Sequence, residues 1–190
     1  VEPSDAGVRT SVSRVAIAPV TLAPELERRG DKDSTLYAEA ATHVGHYLAE
    51  ALLERGVEVV TAEDSRSALA DLTRSPEFHR DASRLARAAS LQLGVDSLLV
   101  IELTQWSPRD SLSSRPAPTA VGFRATLHGG SEGLLLWSGQ FSEHQMSFFE
   151  SPWRSLQYPG MGTRWLPPTE LARWGAGRMA AQIPVAARGR

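Results

Sequence analysis

The chain contains no cysteine, and Lys32 is the only lysine among its 190 residues. Without thiols there is no disulfide framework, no thiolate nucleophile and no cysteine-based zinc site. No Gly-x-x-x-x-Gly-Lys-Ser/Thr phosphate loop occurs, and no Gly-x-Gly-x-x-Gly follows the first apolar run. No apolar stretch reaches the ~20 residues that a helix needs to cross a bilayer. There is no large charge of one sign either. The net charge of −2 provides no overall field for nucleic acid. What is present is ordinary for a globular chain: 42% hydrophobic and 22% charged residues, enough for the core of one domain.

Residues 1–12 are small and polar and read as a flexible leader. The opening Val1-Glu2-Pro3 without methionine reads as a processed or trimmed chain, from which a signal peptide or lipid-bearing cysteine would be gone. Val15, Ile17 and Ala18 suit a buried strand ended by Pro19. Residues 21–34, with Pro24 and Gly30, read as a loop. A helix capped by Ser34 or Thr35 follows, with Leu36, Ala40, Val44, Leu48 and Leu52 at helical spacing, and Arg55-Gly56 ends it. Val57–Val60 is a short strand. Thr61 opens a second helix, and a third carries Phe78, Ala82, Leu85, Ala89 and Leu93 up to Gly94.

Val95–Leu103 is the strongest strand signal, and its continuous apolar middle predicts a central position covered on both faces. Val121–Leu127 alternates strictly and pairs with Leu134–Phe141 across a His128–Gly133 turn, which predicts a hairpin with its glycines at positive φ. Pro167-Pro168-Thr169-Glu170 opens a last helix through Leu171, Trp174, Met179 and Ile183. The order β-α-β-α-α-β-β-β-α predicts an α/β fold with a mixed parallel/antiparallel sheet and helices packed on it. The expected division is a single domain over 13–184, with a long aromatic-rich loop over 142–166 and a tail over 185–190.

No catalytic, cofactor or metal constellation emerges. His128-Gly129-Gly130 could be set beside an esterase oxyanion loop, but no Gly-x-Ser-x-Gly nucleophile accompanies it. His43 and His46, with His79, lack the remaining ligands of a metal shell. Glu63 with Asp64 reads as helix-end acid, and Glu102 with Asp110 lacks a spacing that fixes their geometry. Gly160 and Gly162 are loop glycines.

The charge, however, is uneven. Six arginines against Glu170 leave +5 in residues 151–190, so the first 150 residues carry −7 of the net −2. Those arginines interleave with aromatics, a combination enriched at interface hot spots. Phe148, Phe149, Trp153, Arg154, Tyr158, Arg164, Trp165 and Arg173 are therefore the candidate partner- or membrane-binding residues, facing a protein, an anionic lipid or a glycan.

Several segments resemble a known group. Val15-Ala16-Ile17-Ala18-Pro19-Val20, Glu54-Arg55-Gly56-Val57-Glu58-Val59-Val60, Ala86–Val100 with its Leu93-Gly94-Val95-Asp96, Glu102–Trp106 and Gly133-Leu134-Leu135-Leu136-Trp137-Ser138 are similar to segments of the TolB N-terminal-domain-like periplasmic lipoproteins, the group of CsgG-, LpoB- and PelC-like proteins. The resemblance spans about residues 13–141. It implies that fold and a non-enzymatic, outer-membrane-associated lipoprotein on the periplasmic side. The implied role is accessory or assembly component in export of polysaccharide or protein. Envelope or secretion-system proteins are the implied partners, and a homo-oligomer is one form it could take. A periplasmic regulator that activates an envelope enzyme is the alternative, and a hydrolase or metal enzyme the remote one. The membrane-crossing hairpins of the curli channel are not evident here.

Overall fold

A computed structural model of the chain describes residues 12–70, 81–109, 118–145 and 166–185, with 29–33 described by backbone alone. Six strands form one sheet: β1 (Arg14–Ile17), β2 (Thr21–Leu22), β3 (Glu58–Val60), β4 (Ser97–Ser107), β5 (Ala120–Gly129) and β6 (Leu135–His144). The order is β3-β1-β4-β5-β6, with β2 pairing β4 beyond the end of β1. The pairs β1–β3, β1–β4 and β2–β4 are parallel, while β4–β5 and β5–β6 are antiparallel. The expected mixed sheet is present, with β4 between a parallel and an antiparallel neighbour.

The helices among the described residues are α1 (Pro24–Glu54), α2 (Ala62–Ala68), α3 (Ala82–Leu93) and α4 (Pro168–Ala180). Helices α1 and α4 supply one core, where Leu48, Leu52, Leu171 and Ala176 meet Leu99, Ile101, Leu103 and Phe123. Helices α2 and α3 cover the other face, where Leu69, Leu85, Ala86 and Ala89 meet Ala16 and Leu98. Alternate residues of β4 point to opposite faces, so the strand is buried from both sides, as its apolar run predicted.

Three local expectations are corrected. Residues 21–34 are not a loop. Thr21 and Leu22 form β2, and α1 begins at Pro24 behind Ala23, so neither Ser34 nor Thr35 caps it. Proline suits the first helical position because its missing N–H has no partner there in any case. Glu25 and Glu27 lie in the first turn, where the helix dipole favours acid. Gly30 inside a helix costs only about 1 kcal/mol relative to alanine, too little to break one held by buried Leu26.

Arg55 and Gly56 end α1 as expected, Arg55 N donating to Leu52 O at 3.1 Å and Gly56 taking a φ of 83°, while the Arg55 side chain reaches another helix. Its guanidinium donates to the carbonyls of Ala180 and, at 2.9 Å, Ile183, clamping the end of α4 onto α1. In the hairpin turn only Gly133 has a positive φ, at 72°. Gly130 is small for another reason: a Cβ there would stand 2.7 Å from Ser90 and 2.9 Å from the Val95 carbonyl. The turn lies against α3.

The start of β1 is fixed by one carboxylate. Asp96 Oδ2 accepts from Ser13 N at 2.9 Å, Ser13 Oγ at 2.5 Å and Arg14 N at 2.8 Å. Partial burial pushes this carboxyl up, but the Ser13 and Arg14 hydrogen bonds and the Arg14 charge outweigh it and hold it below its ordinary value. Just before β1, Val12 is buried and bridges Val185.

Two outcomes follow. A carboxylate with a lowered folded pKa contributes stability that is complete above its unfolded value and is lost as pH falls through the folded one. Asp96→Ala is expected to cost about 1–2 kcal/mol at neutral pH. Urea midpoints of the two proteins should converge as pH drops below the ordinary 3.8. Gly175→Ala places a Cβ 2.6 Å from the Phe141 ring, in the seam between α4 and β6. It should lower stability by about 1–3 kcal/mol in the same assay.

Candidate functional site

The parallel strands β1, β3 and β4 all deliver their carboxyl ends to one end of the sheet, where ligand sites of open α/β sheets gather. The β4–β5 and β6–α4 connections open at the same end, because Ser107 pairs Ala120 and Ala120 pairs His144.

A buried polar knot closes this end. Gln145 N donates to Thr119 O at 2.9 Å. Leu166 N donates to Gln145 Oε1 at 2.7 Å, and Thr119 Oγ1 donates to Leu166 O at 2.8 Å. All three residues are buried, so each bond replaces water that is not there. The knot joins Gln145 directly to Leu166. The two residues that flank the segment carrying the arginines and aromatics are therefore held together. Sequence patterning missed the knot, since a single threonine and a single glutamine carry no period.

Of the candidate binding residues, Phe148, Phe149, Trp153, Arg154, Tyr158, Arg164 and Trp165 lie outside the described residues. Arg173 is on α4, 3.6 Å from Glu50 of α1, with its guanidinium 4.7 Å from the centre of the Tyr47 ring. It lines a groove of about 410 Å³ with Glu50, Leu53, Glu54 and Gly177. Arg178, one turn further along α4, sits instead over Trp174 at 4.9 Å. The two described arginines of the basic quarter thus point to different neighbours.

A larger cleft of about 620 Å³ lies between α1, β2 and the start of α2. Its floor is apolar, with Val20, Leu22, Ala41, Gly45, Ala49 and Ala62. Its rim is polar but internally paired. His46 meets Glu50 at 3.2 Å and Arg66 meets Glu63 at 3.0 Å. Thr42 donates to the Ala38 carbonyl, and Thr61 donates to Asp64 at 2.7 Å. Thr61 caps α2 in return, accepting from Asp64 N.

The other residues singled out by sequence have structural partners too. His43 stacks on Tyr47 at 5.8 Å. The His128 ring bonds inside the hairpin, to Gly133 O at 3.3 Å and Thr126 Oγ1 at 3.2 Å. Glu102 pairs with Arg124 across β4 and β5 and raises the arginine pKa. His79, Asp110, Gly160 and Gly162 lie outside the described residues. Among those described, no three His, Asp or Glu residues converge as a metal site would require, and no helix is long and apolar enough to cross a membrane.

This mixed sheet, with helices on both faces, is the fold of a group of bacterial envelope lipoproteins. PelC from Paraburkholderia phytofirmans, a dodecamer, superposes with a TM-score of 0.52 at 12% identity, covering 92% of this chain and 90% of PelC. A second crystal form gives 0.50 at 14% identity over 95% and 92%. Lipoprotein GNA1162 from Neisseria meningitidis gives 0.46 at 20% identity, covering 76% of this chain and 94% of its own. The LpoB C-terminal domain from Escherichia coli gives 0.39 at 17%, covering 73% and 87%. At these identities the likeness is one of fold. The sequence matches no family model and no curated protein.

The knot makes a specific prediction. Gln145→Ala strands the buried Leu166 N–H and should cost about 1–3 kcal/mol, with Thr119→Val near the lower end. A double-mutant cycle should show coupling, and the Leu166 amide should exchange faster in Gln145→Ala by NMR.

Proposed function

We propose that the chain is a non-catalytic periplasmic lipoprotein held at the outer membrane, acting as an accessory or assembly component of a secretion or envelope-biogenesis system. The observation that carries this reading is the fold shared with PelC over nearly the whole of both chains.

In this reading the domain over 13–184 is the scaffold, extended at its ends by the Val12–Val185 bridge, with a leader before it and a tail after it. The binding element is the segment pinned by Gln145 and Leu166, bearing Phe148, Phe149, Trp153, Arg154, Tyr158, Arg164 and Trp165, with Arg173 beside it in sequence. Its partners are envelope or secretion-system proteins, with contact to anionic lipid or glycan through the arginines. PelC is a dodecamer, and this chain also assembles into a homo-oligomer.

Mass photometry of the purified chain is expected to show species of several copies, and a strict monomer at high concentration would refute the assembly. Trp153→Ala and Trp165→Ala should leave the melting temperature unchanged while abolishing capture of the envelope partner in membrane pull-downs. Capture undiminished in both would remove the segment from the binding role.

A further inference from the structure

The two edges of the sheet are guarded very differently. Strand β3 is three residues long, and short edges are safe from pairing with other chains. Strand β6 is ten residues, Leu135–His144, and no described strand pairs with its outer side. It has no proline and no lysine, and its ionisable residues, Glu143 and His144, are its last two. The one register irregularity with β5 lies between Leu135 and Trp137, at the start of the strand. Among the described residues, the usual protections of an edge are missing from Trp137 to Ser142.

The register shows which backbone groups are open. Gln145 N donates to Thr119 O, and the pairs Val121–Glu143, Phe123–Phe141, Ala125–Gly139 and Leu127–Trp137 continue that ladder two residues at a time. In an antiparallel pair the directly bonded positions alternate. Trp137, Gly139, Phe141 and Glu143 therefore turn their N–H and C=O toward β5. Ser138, Gln140, Ser142 and His144 turn theirs outward.

The helix beside this edge adds side-chain chemistry. Trp174 of α4 meets Phe141 edge-on at 5.7 Å, and the Arg178 guanidinium lies 4.9 Å over the Trp174 ring. Trp137 folds over Gly139 so closely that a Cβ there would stand 2.4 Å from its ring. Trp137 and Trp174 are both half-exposed. Arg178 is exposed and has no acidic partner among the described residues. On the opposite face of the strand, Ser138, Gln140 and Ser142 are exposed and polar.

We propose that β6 is a docking edge for an extended, acid-bearing segment of a partner protein, which adds to the sheet as a further strand. The outward backbone row selects extended chain, as in strand-addition recognition generally. Alternate residues of the guest face α4, where apolar side chains lie on Trp137 and Trp174 and a carboxylate meets Arg178. The residues between them are small and polar and continue the Ser138–Gln140–Ser142 face.

The test uses the whole chain and three synthetic peptides. One alternates valine and threonine with a single aspartate replacing a valine. The second carries lysine in place of the aspartate. The third is the aspartate peptide N-methylated along one edge. Amide exchange is followed by NMR. The aspartate peptide is expected to slow exchange at Ser138, Gln140 and Ser142 about tenfold or more, leaving Gly139 and Phe141 unchanged. The lysine and N-methylated peptides should give no protection. Arg178→Gln should weaken the aspartate peptide roughly fivefold at an unchanged melting temperature. The proposal is overturned if the outward amides stay unprotected, or if the aspartate and lysine peptides bind alike. Protection of those amides in the free chain, by its own residues or a second copy, would overturn it as well.

Discussion

Everything in this domain is arranged around the burial of β4 on both of its faces. Leu99, Ile101 and Leu103 face α1 and α4, while Leu98 faces α3. A strand that sheds water on both sides needs a helical layer on each face and hydrogen-bonding strands on each edge. Parallel β1 and antiparallel β5 supply the edges. The parallel side requires helical crossovers, so α1 goes to one face and α2 with α3 to the other. The antiparallel side needs only a turn, so β5 and β6 follow as a hairpin and α4 returns to close the first core.

The second layer depends on small residues as much as on large ones. Gly175 lets α4 approach Phe141, which tilts against Phe123 at 5.2 Å. Arg55 then secures the far end of α4 through the Ala180 and Ile183 carbonyls, the first of which also accepts from Ile183 N. These contacts explain how one helix from the end of the chain belongs to the same core as the helix near its start.

Much of this was legible in the sequence. The run Val95–Leu103 announced the central strand because two-sided burial leaves little room for polar residues. The alternation at Val121–Leu127 announced the hairpin, and the double proline at 167–168 announced α4. The first turns of α1 were not legible, because Pro24 and Gly30 signal breaks unless the helix is known to begin at the proline. Strand β2 was hidden because two residues carry no period. The proposed binding segment was legible only as composition. Its arginines and tryptophans stood out, while Thr119 and Gln145, which pin the ends of their segment, look like any loop residues. The open edge of β6 could not be read at all, since position within a sheet is a property of topology.

The knot at Thr119, Gln145 and Leu166 also bears on how such a protein can diversify. With both ends of a segment fixed by bonds that belong to the scaffold, its length is nearly free. Doubling the length of chain between two joined ends costs only about 0.6 kcal/mol in closure entropy. The bonds that hold Thr119, Gln145 and Leu166 together do not depend on how many residues separate Gln145 from Leu166 in sequence, so the knot itself is more tolerant of insertions there than of a change at Thr119 or Gln145.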